Sequence, residues 1–177
     1  MPAVEFTLKY TVLGNALTVE IEYEIAKYVE NLPRFGLEFA IGKEYAKFSY
    51  IGFGPSESYI DKRAACEYGH YESTAEENYE KGYVRPQESG SHFASKYLCM
   101  DGLFTVTAEK EFSFSVNPYT TAQLFDTKHH FELTENEFVT VCLDVAMRGV
   151  GSHSCGPKLD EEYEIPRKSG NKFTLTF

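Results

Sequence analysis

Tryptophan is absent from the 177 residues, and lysine and arginine form no cluster. A surface that tracks nucleic-acid phosphates needs such a cluster, and so does one that sits on an anionic membrane. Nucleic acid and membrane are therefore not expected as partners. The net charge of −10 is first of all a matter of solubility. No apolar run approaches the length of a membrane-spanning helix. Met1-Pro2-Ala3-Val4-Glu5 lacks the basic start and apolar stretch of a secretory signal. The four cysteines, Cys66, Cys99, Cys142 and Cys155, form no C-x-x-C clip. Free thiols and a cytoplasmic home are the expectation.

What is abundant points to one class. Aromatics make up 15% of residues, 14 Phe and 13 Tyr, among 13 Gly. Short apolar runs rich in aromatics and punctuated by glycine favour an all-β fold. The length suits one domain over residues 1–177, large enough to bury roughly two thirds of the unfolded surface. Val4, Phe6, Leu8, Tyr10 and Val12 alternate with polar residues, the period of a half-buried strand. Leu17 to Ile25 repeats the pattern after Gly14-Asn15, so a hairpin is predicted. Its polar face holds Glu20, Glu22 and Glu24, a row of like charge that reads as protection of a sheet edge. Asn31 to Arg34 is a turn into a strand at Phe35–Ile41. Residues 64–81 read as a surface excursion with one helical turn. Strands are expected at Phe93–Met100, Leu103–Ala108, Phe112–Val116 and Phe173–Phe177, and a capped helix at Thr120 or Thr121 to Phe125. Phe138 to Val145 is apolar on both faces, as in a central strand. The chain opens directly into a strand, as a piece of a longer chain or a gene beginning mid-domain would.

The densest stretch is Tyr50 to Lys62, YIGFGPSESYIDK. Gly52 and Gly54 should break the strand through Phe53, and Pro55 must stop its pairing. Glu57, Ser58, Tyr59 and Asp61 follow on a rigid corner. They are either a solvated turn or a contact surface for a neighbouring domain.

This stretch also resembles the G-x-G-P-x-E-[NS]-Y-x-D-[RK] signature of the C-terminal β-sandwich, or small-chain, domain of family-two β-galactosidases. YVRPQESG (83–90), SVNPYTTAQL (115–124), KHHFEL (128–133) and GVGSHSCGP (149–157) are similar to further motifs of that family, in family order and spacing. The resemblance covers the later part of the family domain and none of its catalytic barrel. It implies a two-sheet antiparallel sandwich of the galactose-mutarotase-like type. It implies a non-catalytic role as well, because the family's catalytic glutamates lie in the barrel. Magnesium and sodium are implied for the parent enzyme only, with no cofactor in this chain. A β-galactoside, the barrel domain and a homo-oligomer are the implied partners.

A retaining glycosidase needs two carboxyl groups close together, and no pair stands out. The resemblance makes Gly149–Pro157 the substrate-side loop, with Ser152, His153, Ser154 and Cys155 as its candidate sugar-binding residues. Some relatives place tryptophan where Cys155 stands; the cysteine has no stacking face, and a buried structural thiol is the alternative. His153 and Cys155 are too few for a structural zinc site. His129-His130 reads as a cap at the helix end. His70 and His92 stand alone in polar loops, with no motif to give them a role. Arg85 and Glu88 form either a loop-holding ion pair or a domain contact. Two other classes stay open. An aldose 1-epimerase-like enzyme would need an acid and a base, for which His92, His129 and Glu57 are the candidates. A stand-alone carbohydrate-binding module would need exposed aromatics.

Overall fold

The computed structural model describes residues 2–151 and 159–177. The chain is all-β, and every strand pairing is antiparallel. The hairpin forms as its alternation dictates: β1 (Val4–Leu13) and β2 (Ala16–Ile25) pair in register around Gly14, which sits at φ +60°. β3 is Arg34–Gly42, β4 Lys47–Gly54 and β5 Glu67–Thr74, followed by the single turn α1 (Ala75–Asn78). β6 (Ser91–Met100), β7 (Phe104–Asn117), α2 (Thr121–Asp126), β8 (Phe138–Met147) and β9 (Lys168–Thr176) complete the order.

The large sheet runs β1-β2-β9-β7-β6-β4-β5, and β8 joins β7 to β3. β7 belongs to both layers. Its first half, Thr105–Ala108, pairs with β9, and its second half, Ser113–Asn117, pairs with β8. Where β9 leaves, the Asn171 side chain takes over its ladder: Lys110 N–H donates to Oδ1, and Nδ2 donates to the Lys110 carbonyl. The Lys110 peptide group is therefore satisfied where the strand turns from one sheet into the other. Between the layers lie Ile21, Phe48, Leu98, Phe112, Phe114, Val141, Leu143 and Phe173, all buried, with Leu37, Phe39 and Ile41 of β3 packed against them. This is a sandwich core.

Several expectations change. Leu103–Ala108 and Phe112–Val116 are one 14-residue strand, because the Asn171 bridge lets it bend instead of break. Residues 64–81 hold an edge strand, β5, as well as the helical turn. The glycines do not break β4. Pairing with β5 continues to Gly54, opposite Glu67. Gly52 is there for closeness: a Cβ would lie 2.4 Å from the Ser95 hydroxyl, beside a bulge of β6 where Ala94 takes φ 52°. Nor do Glu20 and Glu24 guard an edge. β2 is interior, and their charges are met by Lys9 and Lys172 at Glu20 and by Lys168 at Glu24.

Candidate functional site

The corner after β4 is built around one buried carboxylate. Glu57, with a side chain 5% exposed, accepts from the Tyr59 hydroxyl (3.1 Å) and the Gly90 N–H (2.9 Å) on one oxygen. The other oxygen accepts from the Tyr83 hydroxyl (2.7 Å) and from the Lys62 ammonium. Burial opposes the Glu57 charge, but Lys62, Gly90 and Tyr83 outweigh it and hold the carboxyl below its ordinary range. One residue thus ties the corner to the 83–90 loop. Ser58 adds a second tie: its N–H donates to Ser91 O, and its hydroxyl bridges Phe53 O and the Phe93 N–H.

Asp61 reaches the other way. It accepts from the backbone N–H groups of Val150 (3.1 Å) and Gly151 (3.0 Å). Gly149 is pressed against the same carboxylate; a Cβ there would lie 2.5 Å from it. The start of the glycine-rich stretch is therefore anchored to the corner. Ser152, His153, Ser154 and Cys155 lie outside the described residues, and so does the zinc question at His153 and Cys155. Among the described residues, no three His, Cys, Asp or Glu side chains converge as a metal site would require.

Behind the corner is a buried histidine. His92 is fully buried in β6, with its ring against Tyr50 (4.2 Å between centroids) and Phe114 (5.1 Å). Nε2 lies 2.7 Å from Asn78 Oδ1, and Nδ1 lies 3.2 Å from Phe53 O. Asn78 Nδ2 is spent on the carbonyls of Gly90 and Val116, so its oxygen must accept from the ring. Burial pushes the imidazole down to about 4. His92 and His70 therefore lie in strands β6 and β5, not in polar loops, and His92 is enclosed by aromatic rings.

A second ionic group sits across the 83–90 loop. Arg34 grips Asp144 with Nε and Nη2, and donates from Nη1 to Glu88 at 2.9 Å. Burial opposes the guanidinium charge, but Asp144 and Glu88 prevail and hold it firmly protonated. Burial also lifts Glu88 above its ordinary range. The Arg85–Glu88 ion pair, one of the two readings of these residues, does not form, because Glu88 turns inward to Arg34. Arg34 and Asp144 carried no expectation of their own. The available signal was Asp144 itself, a lone acid in a strand apolar on both faces, which demands a buried cation. A cavity of about 360 Å³ opens beside this group, lined by Arg34, Arg85, Glu88, Asn117, Thr140 and Cys142. Burial pushes the Cys142 thiol up to about 11, so it is an inert packing residue.

His129 and His130 are apart from all this. α2 ends at Asp126, so His129 does not close it. His129 instead precedes a 3-10 turn at His130–Glu132 and pairs with Glu132 at 3.1 Å. Of His92, His129 and Glu57, the candidates for epimerase chemistry, His129 lies exposed at the surface beside Glu132. His92 and Glu57 are committed to structural hydrogen bonds.

The fold and its polar corner define a class, a β-sandwich module whose buried charges hold loops in place. The family model described as "Beta galactosidase small chain" matches residues 1–177. The chain is 39% identical to the β-galactosidase of Actinobacillus pleuropneumoniae over 92% of its own length and 18% of that relative's. It is 34% identical to the Staphylococcus xylosus β-galactosidase over 93% of the chain and 17% of the relative. For the Kluyveromyces lactis β-galactosidase the identity is 30%, over 98% and 17%. The chain belongs to the β-galactosidase small-chain family. It spans less than a fifth of the length of these relatives.

Proposed function

We propose that the chain is a non-catalytic part of a β-galactosidase that hydrolyses terminal β-galactosides such as lactose. In this reading residues 1–177 are the later part of its sandwich domain. The domain closes one wall of the galactoside site with Ser152, His153, Ser154 and Cys155, and meets the catalytic barrel and neighbouring subunits. Acid/base and nucleophilic carboxylates belong to the rest of the polypeptide, as do any magnesium and sodium. The three free described cysteines fit a cytoplasmic home. No helix among the described residues is long and apolar enough to cross a membrane.

The observation that carries this reading is the Asp61 clamp. Two backbone amides at Val150 and Gly151 are held by a residue of the corner motif, so the loop that follows starts from a defined position. A loop that contacts substrate needs such an anchor. The experiment is a chimera in which this chain replaces the matching stretch of the A. pleuropneumoniae enzyme. The chimera is expected to cleave an aryl galactoside, and the isolated chain is not. In the active chimera, Cys155→Trp should shift KM by several-fold through a new stacking face, with little change in Tm. A large fall in Tm with KM unaltered removes the loop from the site. Mutarotation of galactose by the isolated chain would replace this reading with the epimerase one.

A further inference from the structure

β8 buries both of its faces, but in different company. Val139, Val141 and Leu143 belong to the sandwich core. Alternation turns Thr140, Cys142 and Asp144 to the opposite face. There β7 sets Asn117 against Thr140 and Ser115 against Cys142. These five side chains are polar or carry sulfur, yet none is more than 4% exposed. A polar face is thus buried outside the core. The 83–90 loop and α2 roof it with Arg85, Glu88, Leu124 and Phe125, and the cavity of about 360 Å³ lies between roof and sheet.

Two side chains that line this cavity have an unanswered polar atom. Thr140 Oγ1 and Asn117 Oδ1 are buried, and neither meets a hydrogen-bonding group among the described residues. Asn117 Nδ2 donates to Ser89 O at 3.0 Å, which fixes the amide with its oxygen as the free atom. Burying an unpaired polar group is destabilising, and native proteins keep few of them. Here two stand directly opposite each other on neighbouring strands, at one cavity wall. They call for a partner from outside the described chain.

We propose that the cavity binds one neutral sugar ring of hexose size, whose hydroxyls bond to Asn117 Oδ1 and Thr140 Oγ1. The chemistry of the wall selects this class. An amide oxygen only accepts, while the Thr140 hydroxyl both donates and accepts, so the ligand must bring donors and acceptors side by side. Alcohol groups do so. Arg34 spends three N–H groups on Asp144 and Glu88, and the rest of its guanidinium can donate to a sugar oxygen. Charge selects against ions: Arg34 and Arg85 are balanced by Glu88 and Asp144. Tyr119, Leu124 and Phe125 supply an apolar wall for the C–H face of the ring. The volume stands at the small end of ligand pockets, which span roughly 300–1,000 Å³, so it suits one ring and not a chain of them. None of these residues belongs to the 149–157 loop, and the site goes beyond the contact proposed for that loop.

The test titrates D-galactose and, separately, D-glucose into the nitrogen-15-labelled chain and follows the amide NMR shifts. For at least one of the two sugars, saturable shifts centred on Glu88, Asn117, Thr140 and Cys142 are expected, with a Kd of about 1–10 mM. Thr140→Val should weaken that binding by about tenfold while its Tm does not fall. Cys155→Ala, in the 149–157 loop, should leave the binding unchanged. Shifts confined to residues 149–157, or shifts that Thr140→Val leaves intact, overturn the proposal. So does the absence of any saturable shift, which assigns the two atoms to ordered water. Should the chain alone not fold, the A. pleuropneumoniae chimera takes its place. Slower hydrogen exchange over residues 83–90 and 121–126 in the presence of either sugar is then expected, and unchanged exchange overturns the proposal.

Discussion

Glu57 and His92 are close in the fold but respond to acid for different reasons. The lowered carboxyl of Glu57 contributes stability that is present above its unfolded range and lost as pH falls through its folded one. Glu57→Ala removes the acceptor of Tyr59, Tyr83, Lys62 and Gly90 together. It should cost about 2–3 kcal/mol in urea denaturation at pH 7. His92 is the case of a base kept neutral. Its folded value near 4 lies below the ordinary 6.5, so below pH 6.5 the unfolded chain takes up a proton that the folded chain refuses. Stability is therefore full above pH 6.5 and falls until about pH 4. Between pH 7.5 and 5 this contribution is about 2 kcal/mol, and His92→Gln should lose that much less than the wild type across the same interval. Identical pH profiles would remove His92 as the cause. Thr140 is a residue with something to gain. Its buried hydroxyl has no hydrogen-bond partner, so Thr140→Val should raise stability by about 1 kcal/mol.

At the scale of elements, α2 shows how much a short helix owes to its cap. It has six residues, too few to hold together alone. Thr120 accepts from the Gln123 N–H at 3.1 Å, and the Gln123 side chain accepts from the Thr120 N–H at 2.8 Å. Thr120→Ala should cost about 1 kcal/mol, measured by thermal melting. Thr120→Ser should recover most of that loss. β7 makes the opposite point. Its length depends on the Asn171 side chain more than on its own residues, because that amide satisfies Lys110 where β9 departs.

At the scale of the molecule, the described cysteines are free and dispersed: Cys66 and Cys99 half-buried, Cys142 buried. Titration in denaturant without reductant, after reducing purification and brief air exposure, should return four free thiols. Two fewer would mean a disulfide and an oxidising home for the protein.

The sequence by itself determined the local grammar. Alternation placed β1 and β2, the turn at Asn31–Arg34 opened β3, an apolar run on both faces placed β8, Gly14-Asn15 placed the hairpin, and the threonines ahead of α2 marked its start, because each of these signals acts over a few residues. The ordered motifs located the polar corner for a similar reason, since glycine, proline and acid at fixed offsets shape one turn. Tertiary structure decided what that corner touches. Glu57 meets Gly90 and Tyr83, Asp61 meets Val150, Arg34 meets Asp144, and His92 is enclosed by aromatic rings. All of these partners are distant along the chain. A buried charge signals that it needs a partner but not which residue supplies it, and a histidine between Ser91 and Phe93 looks the same whether water or Tyr50 surrounds it. The exposure of Phe6, Tyr10 and Val12 in β1 is equally invisible in its alternation, which is that of any half-buried strand. Only the packing shows that Val4 and Leu8 meet the core while those three stay largely exposed.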